Sequence, residues 1–348
     1  MDKNDGKIIA QPQKTHKRTQ MDPKISIASL GGTISMTPSQ KAQGITPKLS
    51  AEDLINVLPD IKGLAQIEAK SLFSLPSGYL SFEMLIEALQ WAKEQVKQGA
   101  SGVIFTQGTD TLEESAFLCD LFWDLPEPLI ITGAMRAPEE IGADGLRNLR
   151  SAILCALSPH SAHRGVMVVM NDTIHLARWA RKSHSLMVDS FCSDGKSYGV
   201  IAEGKVVYFY PPPPKMVLPF PYDLNKKVFL WEQVLDGDVG ILEWVERDCD
   251  GLVISGFGAG HISLRASDLL DKVIQKIPVI VCTRTTDGPT AYHTYGYKGA
   301  EIDLIARGVC MGGYLSARKA RILLWAILGN GLGKDSFKQY LQTLTIGS

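Results

Sequence analysis

The sequence has no C-x-x-C pair. Its six cysteines, at 119, 155, 192, 249, 282 and 310, are scattered along 348 residues. That spacing excludes the common zinc and dithiol redox signatures. Cys155 and Cys282 lie inside apolar runs and read as small buried hydrophobes, which fits a reducing cytoplasm. No window holds 18 apolar residues, so no membrane-spanning helix is expected. The first twenty residues, "MDKNDGKIIAQPQKTHKRTQ", lack the apolar stretch of a secretory signal. They are polar and mildly basic, and a solvated, disordered tail is expected over 1–22, with Met21 as an alternative start. Charge of one sign is not in excess: 36 Lys and Arg face 37 Asp and Glu, a formal net charge of -1. Without a basic field there is no case for a nucleic-acid partner. No G-x-G-x-x-G follows a strand-like run, so a dinucleotide cofactor has little support. No repeat of fixed period is present.

What the chain does have is alternation. "KISIASL" (24–30) reads as a buried strand. Residues 81–98 place Phe82, Leu85, Ile86, Leu89 and Val96 on one helical face, behind Ser81 as N-cap and ahead of Gly99. "GVIFT" (102–106) is the next strand, 112–124 a helix, "PLIIT" (128–132) a third strand, 146–157 a helix, and "GVMVVM" (165–170) a fourth strand. Continuous apolar strands between helices predict a mostly parallel, doubly wound α/β sheet covered on both faces. The stretch "YFYPPPPKMVLPFPYDLNKK" (208–227) then brings six prolines, which neither a helix nor a central strand accommodates. It is expected to link two folded units, 23–207 and 228–348. The alternation resumes with "VGILEW", "GLVISGFG" and "PVIVCT", and closes on a helix over 317–328.

In such a sheet, ligands bind beyond the carboxyl ends of the strands. The strand tips are Gly31-Gly32-Thr33, "QGTDT" (107–111), "GAMR" (133–136) and "NDTIHLARWARKSHS" (171–185). Taken singly they are ordinary: a glycine pair makes a turn, Thr109 or Asp110 caps a helix, Lys182 is a surface charge. Together they offer chemistry. A hydroxyl nucleophile needs a nearby base, and a lysine, with its free pKa of about 10.4, acts as one only when buried or beside other charge. Thr109, Asp110 and Lys182 can form such a relay.

In their order, "LGGTI", "TQGTDT", "TGAMR", "ADGLRNLRSAI", "NDTIHLARWARKSHS" and "GYLSARKARILL" resemble the bacterial-type L-asparaginases. The resemblance runs from about Lys24 to the closing helix. It implies two α/β domains, the N-terminal one larger. It implies hydrolysis of the side-chain amide of asparagine, sometimes glutamine, without metal or organic cofactor. It also implies a homodimer or homotetramer with sites at the dimer interface. By position Thr33 looks like the attacking threonine that forms an acyl-enzyme, and Thr109 like the second catalytic threonine. Lys182 looks like its proton acceptor, and Asp110 like the carboxylate that holds the substrate α-amino group. Backbone N–H groups at Thr109 and near Ala134 would meet the oxyanion. Gly32 and Gly108 would let substrate approach closely, and Ser77 and Gly78 would meet its α-carboxylate.

The chain also departs from that pattern. Residues 34–50 contain no tyrosine, where the family carries one on a mobile lid. Three readings follow: the lid is built differently, another tyrosine such as Tyr79 or one of "YHTYGY" (292–297) substitutes, or activity is weak. Gly78 stands where glutamine is common. Glu301 is a candidate for an acid reaching the neighbouring subunit's site, against the plainer reading of a solvated loop glutamate. His261 is either a neighbour-facing group or a loop or core histidine. Three rivals stand beside an asparaginase: a glutaminase or other amidase on this fold, the related tRNA-linked amidotransferase subunit, and a non-catalytic asparagine or aspartate sensor. The subunit would need an extra folded N-terminal domain, for which the tail is too short.

Overall fold

The computed structural model describes residues 22–32, 36–38, 45–47, 63–193, 195 and 197–344. Nearly all of the expected tail, and Thr33, lie outside them. The larger sheet contains β1 (Lys24–Ser29), β4 (Gln66–Ser71), β5 (Ala100–Thr106), β6 (Leu129–Thr132), β7 (Val166–Met170), β8 (Thr173–Leu176), β11 (Gly199–Ala202) and β12 (Lys205–Tyr208). Two short ladders stand apart, β2 (Met36–Pro38) with β3 (Ile45–Pro47), and β9 (Arg181–Lys182) with β10 (Phe191–Cys192). The order is β12-β11-β8-β7-β6-β5-β1-β4. The five strands from β4 to β7 run parallel, and β8, β11 and β12 continue the sheet antiparallel. Chain direction reverses its walk across the sheet at β1, because β4 adds on one side and β5 on the other. A crevice at this switch point, above β1 and β5, is where this class of sheet binds ligands.

Alternation along the strands decides the layers. Val103 and Phe105 join one core cluster with Leu89, Ala116 and Phe117, while Ile104 joins the other with Ile25, Ile27, Leu149 and Ile153. Helices α1 (Phe82–Lys97) and α2 (Leu112–Phe122) therefore cover one face and α3 (Gly145–Leu157) the other. The Ser81 hydroxyl accepts the Met84 N–H at 3.2 Å and caps α1, as its position predicts.

Residues 209–227 contain no helix or strand and lead to a second sheet, β13 (Val228–Glu232), β14 (Gly251–Gly256), β15 (Val279–Thr283) and β16 (Cys310–Met311), all parallel. Its helices are α4 (Ile241–Asp248), α5 (Leu264–Lys276), α6 (Glu301–Ala306), α7 (Ala317–Gly329) and α8 (Lys334–Gln342). "VGILEW" opens helix α4, with Leu242 and Val245 turned inward, and the strand of that unit is β13 instead. Helix α7 joins the two sheets: Ile322, Leu323, Leu324 and Ile327 are fully buried in one cluster with Phe117 of α2 and Val253 of β14. Each such side chain contributes about 1.5–3 kcal/mol. The ring of Trp325 lies 4.3 Å from that of Phe82 at the start of α1. Among the described residues no helix is long and apolar enough to cross a membrane.

The proline-rich connector is fastened by Asp120, which is 4% exposed at the inner side of α2. Its carboxylate pairs with Lys215 at 3.0 Å and Arg178 at 3.6 Å and accepts the Val166 N–H at 3.0 Å. Burial by itself would raise its pKa. Lys215, Arg178 and the Val166 N–H outweigh that, and hold the carboxyl below the ordinary range. A group whose folded pKa is depressed stabilises the fold above its unfolded pKa, and that stability is lost as pH falls through the folded value. Asp120→Asn should lower unfolding free energy at pH 7 by about 3–5 kcal/mol. The gap from wild type should begin to narrow below about pH 4, near the unfolded carboxyl value, and close only as pH falls through the lower folded value. Urea titrations at the two pH values check it.

Candidate active site

The switch-point crevice is built from backbone that admits no side chains. Gly32 has φ +93°, and a Cβ there would lie 2.0 Å from Gly108 N. Gly31, at φ +104°, packs the same way on Leu75, where a Cβ would lie 2.3 Å from the carbonyl oxygen. A Cβ on Gly108 would meet Ser77 Oγ at 2.9 Å, and one on Gly133 would meet Gln107 O at 2.5 Å. Four segments thus touch through glycine: the tips of β1, β5 and β6, and the turn Ser77–Tyr79. Hydrogen bonds fix the same contacts. Leu30 N–H donates to Thr106 O at 2.8 Å, Gln107 N–H to Thr132 O at 3.0 Å, and Thr111 Oγ1 to Ser77 O at 2.9 Å. The Asp144 carboxylate accepts the N–H groups of Met135 and Arg136 and the Asn148 amide, shaping the loop that follows β6.

At the tip of β5 the relay expected from sequence is assembled. Lys182 Nζ lies 2.9 Å from Thr109 Oγ1 and 2.7 Å from Asp110 Oδ1. Lys182 sits on β9, paired with Phe191, so a two-residue strand carries it to a threonine far away in the chain. Its side chain is 15% exposed and Thr109 is buried, whereas the Asp110 side chain is 80% exposed. The ammonium donates to both partners. Once neutral, the amine can accept the Thr109 proton across the same distance.

Ser77 (buried), Gly78 (exposed), Gly32 and Gly108 lie around this relay or its supporting turn. Ala134 is buried beside Gly133, whose Cβ position is 3.2 Å from Thr109 Cγ2. Tyr79 is exposed in the turn after Ser77. His261 and Glu301 form a separate cluster in the second sheet's domain. The Tyr297 hydroxyl lies 2.7 Å from His261 Nδ1, and His261 Nε2 lies 3.2 Å from Glu301 Oε2. Glu301 is fully buried and accepts the N–H groups of Thr294 and Tyr295 at 2.7 and 2.6 Å, so it is not a solvated loop glutamate. Burial works to raise its pKa, and those N–H groups with His261 bring it below the usual range.

Residues around the relay whose roles the motifs did not give are charged, Glu113 and Arg181 near the relay in the chain and Arg318 and Lys319 far from it. Glu113 is 2% exposed. Its Oε2 accepts the Lys182 backbone N–H at 2.7 Å and its Oε1 pairs with Arg318 Nε at 3.0 Å. Lys319, 3% exposed, donates to the carbonyls of Arg178 and Ala180 at 3.1 and 2.5 Å. Arg181 meets Asp287 at 2.9 Å. "TDTLEE" reads simply as acids in a first helical turn, and "SARKAR" as a basic helix face; neither pattern names a partner. Among the described residues no three His, Cys, Asp or Glu side chains gather as metal ligands.

Comparison with known proteins covers most of the chain. Residues 24–214 match the family described as Asparaginase, N-terminal, and residues 227–341 match the Glutaminase/Asparaginase C-terminal domain. A probable L-asparaginase of Deinococcus radiodurans is 33% identical over 327 residues, 91% of this chain and 96% of that protein. The L-asparaginase of Bacillus licheniformis is 30% identical over 317 residues, 89% and 97% of the two chains. The crystal structure of a probable cytoplasmic L-asparaginase from Campylobacter jejuni superposes with TM-score 0.81 at 28% identity, covering 92% of this chain and all of that one.

The glycine contacts set a contrast. Gly32→Ala forces a Cβ into the Gly108 backbone at a positive φ and should cost about 3 kcal/mol or more. Gly78→Ala has no atom within 4 Å of the new methyl and no positive φ, and should stay within about 0.5 kcal/mol of wild type. Paired urea midpoints measure both.

Proposed function

The chain belongs to the asparaginase family and is an amidohydrolase, and from that premise we propose that it converts L-asparagine and water to L-aspartate and ammonia through a threonine acyl-enzyme. One observation carries the proposal: Lys182 Nζ stands 2.9 Å from Thr109 Oγ1 and 2.7 Å from Asp110 at the sheet's switch point.

In the proposed reaction Thr33 Oγ attacks the side-chain amide carbon. The new C–O bond forms, the C–N bond breaks, and ammonia leaves with the proton of the threonine hydroxyl. Water then attacks the ester carbon beside Thr109. Its proton passes through the Thr109 hydroxyl to Lys182, and Thr33 recovers a proton as it departs. Thr109 and Ala134 backbone N–H groups face the oxyanion, a role in which one donor is typically worth about 10²–10³ in rate. Asp110, mostly exposed, is open to the substrate α-ammonium. Ser77 and Gly78 bind its α-carboxylate, and Gly32 and Gly108 leave room for it. Thr33 lies outside the described residues; its assignment rests on its place behind the glycine pair and on the family pattern.

We assign 23–207 to the N-terminal domain, 208–227 to the linker and 228–348 to the C-terminal domain. The protein acts as a homodimer or homotetramer with sites at the dimer interface, in the cytoplasm. Free cysteines and the similarity to a relative titled cytoplasmic support that location. The glutaminase and sensor readings survive only in the assay. Ammonia release from L-asparagine should exceed that from L-glutamine. It should fall about 10²–10⁴-fold in Lys182→Met and at least as far in Thr33→Ala. Aspartate binding without turnover of either amide would make the protein a sensor, and faster release from glutamine would make it a glutaminase.

A further inference from the structure

We infer that Arg318, on the C-terminal domain's helix α7, is a positioning residue that sets the proton acceptor of the relay through Glu113. Lys182 is fastened at two places to one short segment, residues 109–113. Its ammonium holds Thr109 and Asp110, and its backbone N–H donates to Glu113 at 2.7 Å. The second anchor is the stiffer one, because Glu113 is 2% exposed while Asp110 is 80% exposed at its side chain. Both oxygens of Glu113 are engaged, one by Lys182 and the other by Arg318 Nε at 3.0 Å.

A buried carboxylate keeps its charge only if a partner compensates it. Arg318 approaches from the solvent side, its own side chain half exposed. Its neighbours make the interface between α2 and α7 acidic on one side and basic on the other. Burial, then Glu113, pushes the Glu114 carboxyl up, and Arg318, Arg321 and Lys319 oppose that rise. Lys319 grips the carbonyls of Arg178 and Ala180, just before Lys182. Without Arg318 the Glu113 carboxylate loses its compensating charge and turns toward water, which weakens its hold on the Lys182 N–H. A shift of about 1 Å in a catalytic group costs on the order of 10²-fold in rate.

The inference rests on Lys182 being the proton acceptor, so its test includes a readout that needs no turnover. In Arg318→Gln, hydrogen–deuterium exchange in peptides spanning Lys182 should speed up, kcat should fall roughly 10–100-fold, and KM should stay within about threefold because Asp110 is untouched. Arg318→Lys should recover part of kcat. Glu113→Gln combined with Arg318→Gln should be more active than Arg318→Gln alone, since a neutral amide still accepts from the Lys182 N–H and needs no counter-ion. Unchanged exchange at Lys182 overturns the inference, whatever happens to kcat. A fall in kcat that tracks thermal stability across the variants, with no gain in the double variant, overturns it as well. Wild-type protein inert toward asparagine, or Lys182→Met as active as wild type, would instead sink the functional reading, while the exchange result would still judge the anchor.

Discussion

Everything at the candidate site depends on keeping one ammonium group within 3 Å of a buried threonine hydroxyl, at the edge of a solvent-facing crevice. The ion pair with Asp110 cannot do this alone. Its carboxylate is largely in water, and exposed pairs are worth only about 0.2–1 kcal/mol. A lysine side chain loses up to about 2 kcal/mol of rotamer freedom when fixed. The geometry must therefore come from the main chain beneath the lysine. There the Glu113 carboxylate and the two carbonyls held by Lys319 fix the segment from both sides.

The same logic explains the glycines. Thr109 can face Lys182 only because the tips of β1, β5 and β6 close to backbone contact, at separations a single Cβ would forbid. Side chains elsewhere in the core can be exchanged for others of similar volume at modest cost. Gly32 has no such freedom, since both its positive φ and its contact with Gly108 exclude a side chain. Close packing of the strand tips holds the backbone around Thr109 at fixed separations. The large apolar layers lie below it and supply stability without touching the chemistry.

Much of this was legible in the sequence because local rules sufficed. Apolar runs such as 102–106 and 165–170 are strands covered on both faces, and Ser81 caps a helix where a hydroxyl precedes an amphipathic stretch. The relay of Thr109, Asp110 and Lys182 could be proposed because residues after strands converge at one sheet edge. Its supports could not. Glu113 in "TDTLEE" looks like any acid in a first helical turn, and nothing in "SARKAR" says that Arg318 meets it. Long-range ion pairs leave no periodic trace. "VGILEW" reads differently for another reason: a short apolar run behind Asp236-Gly237-Asp238 fits the start of a helix as well as a strand. Glu301 reads as a loop charge, yet folding buries it completely, because two backbone N–H groups and His261 offer it partners no local pattern announces.

Helix α7 makes the second domain part of the first domain's site. Its apolar face fills the space between the two sheets, and its first turn carries Arg318 and Lys319 to the relay segment. A helix buried this thoroughly has little room to move without opening the core on both sides. The basic residues at its start therefore inherit the rigidity of that core. A lone surface arginine would be a poor device for holding a buried carboxylate, since its entropy would offset most of the gain. Anchored on a helix that cannot shift, it loses less freedom on pairing, and the charge it supplies reaches Glu113 at a fixed distance. The division of the chain into two domains is thus a matter of topology. In energetic terms, the relay belongs to both.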